Sequence, residues 1–184
     1  MKQATIICPG PSAKWEDIQD GPVLAINSAL GLCERADYWV AIDNPKPMHG
    51  HCREAAERLK PALVVYDGNT HGWVEAFPDL QLWPVWKSHT IDIKTMTQHW
   101  IRDATPRLLT IWMAIWWAVE GCGATAIEIV GCDMAGDGYW DESVPKNTGG
   151  HPHDWEHERR EMAAVIEMAA KHGVTITRRE KVRA

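Results

Sequence analysis

A single phenylalanine, Phe77, stands beside eleven tryptophans and three tyrosines. With phenylalanine almost absent, indoles must fill the aromatic core or line surfaces where their N–H meets a ligand or partner. None of the five cysteines (Cys8, Cys33, Cys52, Cys122, Cys132) belongs to a CxxC pair, which excludes the common structural-zinc and dithiol-oxidoreductase patterns. Their number is odd and the opening residues carry no secretory signal, so reduced thiols in a cytoplasmic setting are expected. No apolar run reaches the roughly eighteen residues that suggest a membrane span; the Trp-rich stretch 108–119 reads as a buried helix. Basic residues are in the minority, 19 against 25 acidic, for a formal charge of −6. That balance argues against a duplex nucleic-acid binder, which needs a basic stripe to displace counterions. Arg178, Arg179, Lys181 and Arg183 do collect near the end, where they read as a solvated tail.

Several chemical signatures are also missing. There is no GxGxxG after the first apolar run, so a standard dinucleotide site is not expected, and no GxxxxGK[ST] phosphate loop. GxSxG, HExxH and an Asp-x-Asp pair for a metal-bound sugar diphosphate are absent as well.

What remains is the composition of a folded domain: 184 residues, 45% hydrophobic and 24% charged. Short β-branched runs alternate with helical patterns from the start. Strands are predicted at 5–8, 23–26, 38–42, Ala62–Tyr66, 80–85, Ala126–Val130 and 174–177. Helices are predicted at 13–20 (capped by Ser12), after Ser28, at 48–59, at 106–120 and at Trp155–Lys171. Nearly all-apolar strands separated by helices imply an α/β fold: a single Rossmann-like three-layer domain with a mainly parallel sheet. Segments 69–81, 87–104 and 134–153 read as loops that serve as lids or substrate walls.

In such folds ligands gather at the carboxyl ends of the strands. Those ends carry Gly10, Pro11 and Ser12; Asn27 and Ser28; Asp43 and Asn44; Asp67 and Asn69; and Gly131 and Asp133. Any one of them serves equally as a turn or cap residue; repeated along one sheet edge, they point to a binding cleft. Gly10 would admit a close backbone approach, and amides at the following helix N-terminus would face an anion. A second rich segment holds His151, His153, Asp154 and His157. Imidazole titrates near neutrality, so a general acid or base is the reading preferred over a metal site or solvated histidines. Asp154 beside His153 would raise its basicity or simply cap the helix. His49 and His51 beside Cys52 read as structural or exposed, and Asp137 and Asp141 as solvent-facing.

The ordered set Gly10-Pro11-Ser12, Ala25-Ile26-Asn27, Tyr38-Trp39 with Asp43-Asn44-Pro45, then Ile127-Glu128-Ile129-Val130-Gly131-Cys132-Asp133-Met134 and a late His-bearing segment resembles one family. It is the Rossmann-like family of bacterial CMP-sialic-acid-dependent sialyltransferases and archaeal-type 6-hydroxymethylpterin diphosphokinases. The resemblance implies a nucleotide over the first loop, near Gly10, Pro11 and Ser12, with Asn27, Asp43 and Asn44 reaching it and Gly131 and Asp133 contacting the nucleoside opposite. It implies His153 as general base on an acceptor hydroxyl, with His151 second. Where sialyltransferases place tyrosines after the Gly-x-Asp strand end, this chain has Met134-Ala135.

The implied activity is a nucleotide-sugar-dependent glycosyltransferase requiring no cofactor, acting on a nucleotide sugar and an acceptor, with a homo-oligomer compatible. The alternative is an ATP-dependent diphosphokinase-like transferase using magnesium held by Asp43, Asp67 or Asp133. A third reading is a non-catalytic nucleotide- or protein-binding module presenting Trp83, Trp86, Trp100 and Trp140.

Overall fold

The computed structural model describes residues 2–15, 18, 20–45, 47–66, 69–85, 110–135, 141, 143 and 153–179. Among these residues seven strands form one sheet: β1 (Gln3–Ile7), β2 (Val23–Ile26), β3 (Tyr38–Ala41), β4 (Ala62–Tyr66), β5 (Leu82–Val85), β6 (Ala126–Val130) and β7 (Thr175–Arg178). Every neighbouring pair is parallel, in the order β5-β4-β3-β2-β1-β6-β7. The chain builds outward from β1 in one direction through β5, then returns to β1's other side for β6 and β7. That reversal makes the β1–β6 boundary the switch point of the sheet.

Alternation along the strands divides the core into two layers. Ile6, Leu24, Ile26, Val40, Val64, Ile127 and Ile129 face helices α4 (Thr110–Glu120) and α5 (Trp155–Lys171) through Trp112, Met113, Ile115, Met162 and Val165. Ile7, Val23, Ala25, Trp39, Leu63 and Val65 face a short 3-10 helix (Asn27–Leu32), α2 (Arg53–Leu59) and α3 (Thr70–Ala76). The three-layer α/β domain expected from the sequence is therefore observed, with the sheet parallel throughout. Tryptophan supplies the aromatic core: Trp39, Trp73 and Trp112 are fully buried, and Trp39, Trp73 and Phe77 pack edge to face or stacked at 4.8–5.7 Å. At about 25 cal/mol per Å2 and 150–250 Å2 per ring, each such burial contributes on the order of 4–6 kcal/mol. Pro84, which cannot donate to a ladder, sits in the edge strand β5, where that loss is tolerated.

Four local expectations are corrected. Among the described residues none of 13–15, 18 and 20 is helical: Ala13 N–H closes a turn onto Gly10 O at 3.0 Å. The helix expected over 48–59 is two pieces, α1 (Pro47–Gly50) and α2, separated where Cys52 N–H bonds back to His49 O at 3.0 Å. Segment 69–81 is not a bare loop but contains α3, anchored by buried Trp73, whose indole N–H donates to Asp43 O at 2.8 Å. Segment 87–104 lies outside the described residues, as does most of 134–153. Ser28 does not cap the 3-10 helix but lies buried within it, Ile26 standing at the cap.

The last helix begins and ends as predicted. Asp154 Oδ1 accepts from His157 N–H at 3.0 Å, and Gly173, at φ +76°, follows the closing turn. Asp154→Ala is expected to cost about 1 kcal/mol, lowering the melting temperature by roughly 2–4 °C. Calorimetry showing no change would remove the cap from the account. Among the described residues, no helix is long and apolar enough to cross a membrane.

Candidate functional site

The carboxyl ends of β1 and β6 meet over the switch point. Cys8 N–H donates to Val130 O at 2.8 Å and continues the ladder, and Gly10 N–H donates to Gly131 O at 2.9 Å. Ser12 N–H then donates to Asp133 Oδ2 at 2.9 Å. The structure thus brings Gly10, Ser12, Gly131 and Asp133 together, as the sequence pattern suggested, but with different roles. Pro9 and Pro11 have no N–H, and the amides of Gly10 and Ser12 are already bonded within the protein. The backbone nest expected to receive a phosphate is occupied by Asp133, a carboxylate of this same chain. The glycine at position 10 is also required by the protein itself. A Cβ there would collide with the Asp133 carboxylate and Gly131 O, so the space a side chain would take is filled by the β6 loop. Pro11 is exposed and Ser12 partly so.

Asn27 follows β2 and opens the 3-10 helix with φ +48°, a left-handed conformation that asparagine tolerates better than most residues. Its carbonyl accepts from Trp39 Nε1 at 2.8 Å, and its side-chain Oδ1 lies 3.3 Å from His49 Nε2. His49 is fully buried against the rings of Trp39 and Trp73, at 6.0 and 4.8 Å. The structural reading of His49 holds, and it also touches a site candidate, which its sequence position did not reveal. Asp43 and Asn44 are exposed beyond β3, while Asp67 lies outside the described residues. Met134 too has φ +48°. Its carbonyl accepts from Arg159 at 2.8 Å, and Arg178 reaches its sulfur at 3.6 Å. Non-glycine residues in this conformation store strain, and two of them, Asn27 and Met134, stand at this one sheet edge.

His153 precedes α5. Its side chain is 51% exposed, its ring stacks on Trp155 at 4.1 Å, and its Nδ1 is hydrogen-bonded at 2.8 Å to Oε1 of Glu158. Glu158 itself is buried. The partner of His153 is therefore Glu158, five residues on, while adjacent Asp154 caps the helix. Sequence reasoning missed Glu158 because a five-residue separation is not a helical neighbour distance; the contact exists because His153 lies outside the helix and folds back over its first turn. One turn further, His157 Nε2 pairs with Glu161 Oε1 at 3.1 Å. The two histidines hold separate carboxylates, and among the described residues no group of three or more His, Cys, Asp or Glu side chains could hold a metal ion. His151 lies outside the described residues, as do Trp86, Trp100 and Trp140; Trp83 is 44% exposed beside Trp117.

Chemically, the edge offers a hydroxyl at Ser12, a carboxamide at Asn27, a carboxylate at Asp133 and an exposed imidazole oriented by a buried carboxylate. Arg159, the residue after Glu158, donates to Met134 O in the loop after β6 at 2.8 Å. That ties the histidine segment's partner to the same end of the sheet.

No family model matches this chain, and no curated protein matches it. Solved structures do. The chain is similar to the monofunctional α-2,3-sialyltransferase Cst-I of Campylobacter jejuni, at 15% identity and a TM-score of 0.61, covering 97% of this chain and 75% of that one. It is similar to the C. jejuni sialyltransferase CstII in complex with cytidine-5'-monophosphate, at 12% identity and a TM-score of 0.62, covering 97% and 79%. It is likewise similar to CST-II in complex with a trisaccharide acceptor and CMP, at 12% identity and a TM-score of 0.59, covering 96% and 80%. At these identities the likeness concerns the fold: this chain has the α/β fold of the sialyltransferases.

Proposed function

We propose that this protein is a glycosyltransferase that uses a nucleotide-activated sugar, with the nucleotide at the carboxyl edge of the sheet and the acceptor beside His153. The observation that carries the reading is the His153–Glu158 pair at the sheet edge of a fold whose solved relatives bind CMP. With Nδ1 tied to Glu158, the other ring nitrogen, Nε2, is the one to take a proton from an acceptor hydroxyl. The hydroxyl oxygen bonds to the anomeric carbon as the bond from that carbon to the phosphate oxygen breaks. The nucleotide leaves with the electron pair. His49 holds Asn27 Oδ1 and leaves the carboxamide N–H groups to meet ribose or phosphate; Ser12 and Asn44 add polar contacts, and Asp133 contributes to the nucleoside side. The Gly10 and Ser12 amides, already bonded, do not receive the departing phosphate. The phosphate therefore depends on side-chain donors.

Thermal shift against CMP, UMP, UDP, GDP and ATP, each with and without magnesium, tests this. A fitting nucleotide at tenfold its Kd stabilises by about 1.4 kcal/mol, or roughly 3–5 °C for a chain of this size. Metal-independent stabilisation by a nucleoside mono- or diphosphate is expected. Stabilisation only by ATP with magnesium favours diphosphate transfer and overturns the proposal. Stabilisation by none favours a module that binds some other partner.

A further inference from the structure

Two thiols at the switch point have no part in the chemistry above. Cys8 follows β1 on the face that carries Ala4 and Ile6, inside the core beneath α4 and α5. On β6, Ile127 and Ile129 face that same core, so regular alternation would turn residue 132 to the opposite face. Gly131 breaks the alternation with φ +70°, in a fit so close that an added Cβ would lie 2.5 Å from Cys8 O and from Ala13 Cβ. The left-handed step returns Cys132 to the same side as Cys8, where it packs against the same cluster. There Cys8 and Cys132 share one cluster at neighbouring strand ends, where Cys8 N–H bonds to Val130 O at 2.8 Å and Gly131 packs onto Cys8 O. Cys8 is buried, whereas Cys132 is partly exposed.

We propose that Cys132 and Cys8 form a hydroperoxide-sensitive dithiol, Cys132 attacking and Cys8 resolving, that closes reversibly to a disulfide across the β1–β6 boundary. The Cys132 thiolate attacks one oxygen of the hydroperoxide. The O–O bond breaks, leaving Cys132 sulfenic acid and, after protonation, water or an alcohol. The Cys8 sulfur then displaces hydroxide from Cys132, the S–S bond forms, and a second water leaves with the Cys8 proton. Two thiols lose two electrons in total, and the peroxide gains them.

Selectivity follows from the surroundings. The neighbouring Cys8 thiol and the nearby Arg178 hold the Cys132 thiol below its ordinary range, against burial, Asp133 and Glu158, which oppose them. Burial pushes Cys33 up to about 12 and Cys52 up to about 11, and it also raises Cys122. Thiolate character and access therefore coincide at Cys132 alone among these four. The disulfide would join the two loops already in contact through Ser12 and Asp133, but the proposal does not depend on what those loops bind.

The test treats the native full chain with hydrogen peroxide and follows intact mass, peptide maps and dimedone adducts. The expected product lacks two hydrogens, yields a linked Cys8–Cys132 peptide and reverts with dithiothreitol. Cys8→Ala is expected to accumulate a dimedone-reactive sulfenic acid at Cys132, and Cys132→Ala to leave Cys8 unoxidised. Independently of any variant's folding, iodoacetamide should alkylate Cys132 in the native protein at least roughly tenfold faster than Cys33, Cys52 or Cys122. A different linkage, no mass change, or Cys132 labelling no faster than the other three overturns the proposal.

Discussion

Gly10→Val is expected to lower the melting temperature by about 10 °C, through roughly 3 kcal/mol of lost stability. A Cβ at position 10 would collide with Asp133 Oδ2 and Gly131 O, both belonging to the loop after β6. The first is the end of a short, anchored side chain and the second is backbone. Gly131 O is backbone and accepts from Gly10 N–H, and Asp133 is held by Ser12 N–H. The β1 and β6 loops must separate, and both hydrogen bonds go with them. Gly10 thus matters first for stability, and weaker nucleotide binding would follow from displaced loops rather than from a ligand meeting a new side chain. Gly10→Ala should show a smaller loss of the same kind. Adding Asp133→Ala should restore part of it, giving a non-additive cycle, because one of the two colliding groups is removed. Thermal unfolding of the four proteins decides the matter. A Gly10→Val protein that melts with the parent places the glycine's role at the ligand instead.

His153→Ala is expected to lower turnover by roughly a hundredfold or more while leaving donor KM nearly unchanged, the usual scale for a positioned general base. The ring is exposed, stacked on Trp155 and hydrogen-bonded to buried Glu158, so one nitrogen is held and the other is presented. Glu158→Gln keeps an acceptor for the ring but not the charge that favours the imidazolium formed during proton transfer. It should lower kcat less than His153→Ala does, again without raising donor KM, because Glu158 acts through His153 as a positioning residue. Asp154→Ala, which removes only the helix cap, should lower stability and spare kcat. His151 is changed singly and together with His153, since the resemblance offers it as the second choice. Full turnover in both single variants, with the acidic limb of the pH profile intact, would discard the catalytic assignment and leave the His153–Glu158 hydrogen bond as a structural contact.

The strands, their parallel arrangement and the long helix Trp155–Lys171 were legible from residue patterns, for simple reasons. Near-continuous β-branched runs suit strands buried on both faces, and an Asp cap with a Gly after the last turn marks helix ends. Two features misled locally. Ser12 looked like a helix cap, yet its amide meets Asp133, 121 residues away, and the chain turns instead. Segment 69–81 looked like a loop because Gly72 and His71 weaken any helical signal; burial of Trp73 against Trp39 supplies what propensity does not.

At the site, the sequence by itself determined which small and polar residues stand at the strand ends, since strand length and turn chemistry are local properties. Only the tertiary structure decided what each of them does. The sheet order set β1 beside β6, and that juxtaposition occupied the Gly10 and Ser12 amides, gave Gly10 its neighbours and brought Cys132 to Cys8. In the same way, the fold-back of the chain before α5 gave His153 to Glu158 rather than to Asp154. A hydrogen bond or a steric limit depends on through-space neighbours, and residues more than a hundred positions apart become neighbours only when the sheet is assembled.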